Sequence, residues 1–111
     1  MFLMEPKHDV FQAIADPTRR KILTLLADEE MPIAAITECF PISRTAINKH
    51  LGVLFDAGLV SSQKVGRETR YKLQADPLVE LKQWLSFFEN YWNQKLFDLK
   101  EFVEGDNDIL E

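Results

Sequence analysis

The chain has 111 residues, 46% of them hydrophobic and 28% charged, with a formal net charge of −5. That is enough apolar material for one domain with its own core, and too little chain for two domains of ordinary size. No apolar run approaches bilayer length, the opening MFLMEPKHD has neither the basic start nor the long apolar stretch of a secretory leader, and the single cysteine, Cys39, permits no internal disulfide. A reduced, cytoplasmic protein without a membrane partner is expected.

Residues 1–7 carry little pattern. Val10, Phe11, Ile14 and Ala15 then recur with the spacing of a short helix that has one apolar face. Asp16-Pro17 reads as an N-cap followed by a proline at the first helical position, where its missing N–H costs nothing. The second helix it opens runs to about Asp28, with Ile22, Leu23, Leu25 and Leu26 inward. Arg19, Arg20 and Lys21 near its start oppose the helix dipole, so another group is expected to use them; plain solvated charge is the alternative. After the acidic loop Asp28-Glu29-Glu30, Pro32 opens a third, shorter helix carrying Ile33, Ile36 and Phe40, and Pro41 stops it.

The stretch Ser43 to Gly58 predicts a longer helix, capped by the Ser43 side chain and ended by a glycine able to adopt the left-handed conformation. Ile47, Leu51, Leu54 and Phe55 form its apolar stripe, while Ser43, Arg44, Thr45, Asn48 and Lys49, followed by the small Gly52, line the other side. These are donors suited to phosphates and base edges. His50 has an ambiguous register and faces either a groove or the core edge. An ordinary amphipathic helix with a solvated face is the alternative for this stretch alone. Its setting matters: Pro32 to Gly58 is short helix, tight turn, longer helix, the arrangement that places a second helix in the major groove of DNA.

Beyond Gly58 the period changes to alternation. Leu59–Val65 and Thr69–Gln74 read as two strands joined at Gly66-Arg67-Glu68, a hairpin with Lys64, Arg67 and Arg70 placed to touch backbone or minor groove. A protected sheet edge is the other reading of such charges. Asp76-Pro77 repeats the cap-plus-proline pattern and opens the longest helix, to about Glu104, with a polar tail over 105–111. Leu81, Leu85, Phe88, Trp92, Leu96, Leu99 and Val103 recur every three or four residues, widened by Trp84, Phe87, Tyr91 and Phe102. So small a domain cannot cover so many aromatics from one helix, which predicts a second copy of the chain against this face; a wholly intrachain core is the alternative.

Charge is unevenly placed. Residues 44–72 hold six basic and two acidic side chains, net +4, while 1–43 come to −3 and 73–111 to −6. A basic island in an acidic chain is compatible with double-stranded DNA as partner. No spaced pair of carboxylates, glycine-rich phosphate loop or nucleophile elbow is present, so an enzyme is not expected. Two histidines and one cysteine far apart make a poor ligand set, so neither a metal nor another cofactor is expected. Cys39, beside Phe40 near a helix end, is expected to be a packed, inert thiol.

Two stretches, Ala15-Asp16-Pro17-Thr18-Arg19-Arg20-Lys21-Ile22-Leu23 and Ile42-Ser43-Arg44-Thr45-Ala46-Ile47-Asn48-Lys49-His50-Leu51 running on to Leu54 and Ala57-Gly58-Leu59-Val60, resemble the second helix and the recognition helix of ArsR-type winged-helix transcriptional regulators. The resemblance spans about residues 8–75. It implies a mainly α fold with a small β-hairpin, a winged helix-turn-helix over about 8–75 followed by a long C-terminal dimerisation helix over about 77–104, all in one domain. It also implies a homodimeric repressor on an imperfect inverted repeat, dimerising through its first and last helices. Val10, Phe11 and Ile14 would then join Trp84, Leu85, Phe88, Tyr91, Trp92, Leu96 and Leu99 in the dimer, and Ser43, Arg44, Thr45, Asn48, Lys49, His50, Lys64, Arg67 and Arg70 would face DNA. The chain lacks the paired cysteines of many metal-sensing members in the third helix, and no histidine follows His50. It is therefore similar to the subgroup without those ligand motifs, whose inducer is a partner protein, a small apolar molecule or nothing. Two alternatives stand beside this reading: a winged-helix protein-interaction module using the aromatic helix, and a redox-responsive regulator acting through Cys39.

Overall fold

A computed structural model of the chain describes residues 8–110, with side chains up to Gly105; residues 1–7 and the side chains of the polar tail beyond Gly105 lie outside the described residues. The fold divides into two units, one up to Glu80 and one from Leu81 onward.

In the first unit, two aspartates start the first two helices. Asp9 accepts the Gln12 N–H at 2.7 Å while Gln12 Oε1 accepts the Asp9 N–H at 2.9 Å, a reciprocal cap on α1 (Val10–Ala13). Asp16 accepts the Arg19 N–H at 3.0 Å and opens α2 (Pro17–Asp28), with Pro17 inside the first turn. Helix α1 is one turn long, so Ile14 is its C-cap and Ala15 lies beyond it.

The acidic loop leads into a strand that the sequence did not predict, β1 (Met31–Pro32). Two residues are too few to alternate visibly, and proline is tolerated because the strand is an edge. Pro32 then serves as N-cap of α3 (Ile33–Glu38) rather than as its first residue. Ser43 Oγ accepts the Ala46 N–H at 3.1 Å and starts α4 (Arg44–Asp56). That helix ends in a Schellman motif: Leu59 N–H bonds to Leu54 C=O and Gly58 N–H to Phe55 C=O, each at 2.9 Å, with Gly58 at φ +77°. Strands β2 (Val60–Val65) and β3 (Glu68–Leu73) pair antiparallel from Val60↔Leu73 to Val65↔Glu68. Only Gly66 and Arg67 are left in the turn, one residue shorter than expected, and Gly66 takes φ +64° at its first position. The sheet order is β1-β3-β2.

Among the described residues twelve apolar side chains form the core, with Ile22, Ile36, Ile47, Leu54 and Leu59 essentially unexposed. Burying each stabilises the fold by about 1.5–3 kcal/mol. Leu25 is only half-buried, and Phe55, expected in the apolar stripe of α4, is 57% exposed. Three inward positions on α4, Ile47, Leu51 and Leu54, already fill its contact with the core.

Two helices, α5 (Leu78–Ser86) and α6 (Glu89–Leu110), replace the single long helix expected after Asp76-Pro77. The break falls at Phe87-Phe88, where N–H groups reach back three residues, Phe87 to Trp84 and Phe88 to Leu85, and tighten the last turn of α5. Ser86 Oγ donates to Gln83 C=O at 2.6 Å, a side-chain bond that competes with the helix ladder. Neither proline nor glycine marks the break, so periodicity ran straight through it. Gly105 does not end α6, which continues to Leu110. No helix among the described residues is long and apolar enough to cross a membrane.

Candidate nucleic-acid interface

Helix α4 divides as its sequence demands. Ile47, Leu51 and Leu54 are buried, while Arg44, Thr45, Asn48, Lys49 and Gly52 are exposed on the other side. Among the described residues, Arg44, Thr45, Asn48 and Lys49 make no in-chain side-chain hydrogen bond or ion pair. Ser43 spends one oxygen lone pair on the cap and keeps its hydroxyl hydrogen as a donor. A Cβ placed on Gly52 would meet nothing within 4 Å, so the glycine answers no packing need of this chain. Helix α4 therefore presents a row of unsatisfied donors with a low point at Gly52, where another backbone can approach.

The basic start of α2 has a different use. Arg19 donates from Nε to Ala13 C=O at 2.7 Å and from Nη2 to Gln12 C=O at 3.1 Å, and Arg20 donates from Nη1 to Ile14 C=O at 2.7 Å. Both guanidinium groups satisfy the orphan carbonyls at the end of α1. His50 belongs to this cluster: its Nδ1 lies 3.3 Å from Arg19 Nη1 and 3.9 Å from Asp16 Oδ2. His50 thus takes the core-edge register, one of the two that its sequence leaves open. Partial burial raises the Asp16 carboxyl pKa, but the Arg19 N–H and the charges of His50 and Arg19 outweigh that and leave it below its ordinary 3.8.

On the hairpin, Lys64 and Arg67 are exposed. Arg70 is partly buried, with Nε 3.3 Å from Glu68 Oε2 and Nη1 3.8 Å from Glu30 Oε1. Its charge is answered within the chain, because the strand β1 that sequence periodicity misses brings Glu30 beside it. A cleft of about 200 Å³ lies between the start of α3, the start of α4 and the hairpin turn, lined by Pro32, Ile33, Ala34, Arg44, Arg67, Glu68 and Thr69. No local signal could have put Arg44 and Arg67 in one cleft, since the pairing of β1 with β3 does it.

Of the residues expected in a dimer, Trp84, Leu85, Phe88, Tyr91, Trp92, Leu96 and Leu99 are all exposed, from 36% at Leu85 to 63% at Leu96. Trp84 meets Phe88 edge to face with centroids 5.1 Å apart, and Phe88 stacks on Trp92 at 6.1 Å. Phe11 and Ile14 are partly buried against the core. Val10 is a correction: at 3% exposure its side chain is used up within the chain. Cys39 is a second correction, because the thiol is exposed, with Sγ 3.4 Å from Ala35 C=O, instead of packed. Phe40 turns toward α2, where the Lys21 ammonium sits 5.2 Å from its ring centroid, and Cys39 is left outside. Among the described residues no three His, Cys, Asp or Glu side chains gather in a group that could hold a metal ion.

Comparison with known proteins agrees with this geometry. Residues 14–63 match a family described as a helix-turn-helix domain. The transcriptional repressor SdpR of Bacillus subtilis is 36% identical over 102 residues, covering 92% of this chain and 99% of its own length. The HTH-type transcriptional regulator Rv2034 of Mycobacterium tuberculosis is 31% identical, over 88% of this chain and 89% of its own. Among solved structures, a possible transcriptional regulator for arsenical resistance superposes with a TM-score of 0.68 at 33% identity, covering 86% of this chain and 97% of its own. An ArsR-like transcriptional regulator from Rhodococcus sp. RHA1 gives 0.63 at 38% identity, covering 84% and 88%.

Proposed function

Because the chain belongs to the ArsR-type winged helix-turn-helix transcriptional regulators and is thus a DNA-binding regulator of transcription, we propose that it acts in the cytoplasm as a homodimeric repressor on an inverted-repeat operator. The observation that carries this reading is the exposed face of α4, where four donor side chains have no partner among the described residues. Unpaired donors on the first two turns of a helix suit the major groove, where Asn pairs with adenine and Arg with guanine or a flanking phosphate. Lys64 and Arg67 on the wing hold the backbone or minor groove and carry no sequence information. The aromatic face of α5 and α6 joins two copies, setting two α4 helices one helical turn of DNA apart.

The test is selection of duplexes from a random pool at two salt concentrations. Recovery of an inverted repeat with half-sites about 10 base pairs apart is expected. Asn48→Ala should then cost about 1–3 kcal/mol on that repeat and relax sequence choice at one position per half-site. Binding that is blind to sequence, or unchanged by Asn48→Ala, would defeat the assignment.

A further inference from the structure

Of the five arginines in the chain, three are occupied by groups of the chain itself. Arg19 and Arg20 hold the end of α1, and Arg70 lies between Glu30 and Glu68. The side chains of Arg44 and Arg67 make no hydrogen bond or ion pair among the described residues, and both residues line the 200 Å³ cleft. Pro32, Ile33 and Ala34 give that cleft an apolar wall without competing charge. Its one carboxylate, Glu68, is turned to Arg70, and Thr69 adds a hydroxyl. With the carboxylate of the cleft engaged by Arg70, the two arginines that line it have guanidinium donors to offer an oxyanion.

We propose that this cleft is a single phosphate-class oxyanion site built jointly by the recognition helix and the wing. Its occupant is a phosphodiester of the DNA backbone or a free phosphate that competes with it. The volume, several times the ~30 Å³ share of one liquid water, admits a tetrahedral phosphate group. The inference rests on the DNA-binding reading and sharpens it: Arg44 holds backbone, which leaves base discrimination to Asn48. Joining helix and wing through one phosphate fixes the angle at which the wing meets the duplex.

The test follows the side-chain Nε–Hε resonances of Arg44 and Arg67 in the full chain, titrated with a mixed-sequence duplex and, separately, with inorganic phosphate at constant ionic strength. Both resonances are expected to move together with one Kd, and Arg67→Ala should abolish the Arg44 shift. The salt slope of duplex binding should fall by about 0.9 per bound protomer in the Arg44→Ala/Arg67→Ala double variant, roughly 1.8 for a dimer, the value for one phosphate per cleft and not two. Joint movement with duplex alone identifies the backbone as the source; joint movement with inorganic phosphate identifies a free anion. Independent titration of the two, an Arg44 shift that survives Arg67→Ala, or no movement with either probe overturns the proposal. Failure of every duplex to bind strikes at the repressor reading, and the phosphate titration still decides the cleft.

Discussion

The unit up to Glu80 buries twelve apolar side chains, whereas between Leu81 and Val103 no described side chain is buried and eleven large apolar or aromatic residues stand at least 36% exposed. Both stretches show the same helical periodicity in sequence. In the first, the stripe is completed by partners within the chain: α2, α3, α4 and the sheet each contribute to one core. In the second, the stripe stays exposed among the described residues, the exposure that the proposed dimer interface would cover. Periodicity reports that a face must be covered, and only the fold reports by what.

The largest effects should separate the two regions cleanly. Leu54→Ala empties a fully buried site and should destabilise the protein by about 2–5 kcal/mol, read as a lower denaturant midpoint at unchanged slope. Trp92→Glu should leave the helical content of the N-terminal unit intact and instead shift sedimentation from dimer to monomer, with operator affinity falling at least tenfold. If Trp92→Glu unfolds the protein as Leu54→Ala does, the aromatic face is intrachain core and the contrast fails.

A smaller effect tests the polar anchor of α2. Asp16 has a carboxyl pKa lowered by folding, so its contribution to stability is present above its ordinary 3.8 and is lost as pH falls through the lower folded value. Asp16→Asn keeps a good N-cap and should cost less than about 1 kcal/mol at neutral pH, with a visibly flatter loss of stability below pH 4 in urea titrations. The smallest effect concerns Gly52. Open space around its Cβ position predicts that Gly52→Ala stabilises α4 by up to about 1 kcal/mol, while close approach of a DNA backbone predicts weaker operator binding in the same variant. Higher stability with unchanged affinity would show that no backbone comes near.

Much of the first unit was legible because its signals are local. Asp16, Ser43 and Gly58 each act within a few residues of themselves, and the cap and turn chemistry they predict is present. Strand β1 was not legible, since a two-residue edge is defined by its partner Tyr71-Arg70 and by nothing in Met31-Pro32. The same strand explains why Arg70 read as a free wing cation and turned out to be paired with Glu30. The register of His50 stayed open and Cys39 was expected to be packed for a related reason: their environments are set by Arg19 and by the placement of Phe40, contacts across the fold. The break at Phe87-Phe88 has no glycine or proline to announce it.

In the proposed assembly, two copies joined by the aromatic face of α5 and α6 present two α4 helices to one inverted repeat. The most direct test is the mass of the protein–DNA complex formed on the selected repeat, measured for the wild type and for Trp92→Glu. Two protomers per repeat for the wild type, and a single weakly held protomer for the variant, are the expected result. One protomer per repeat in the wild type, or a variant that binds as tightly and in the same ratio, would contradict it.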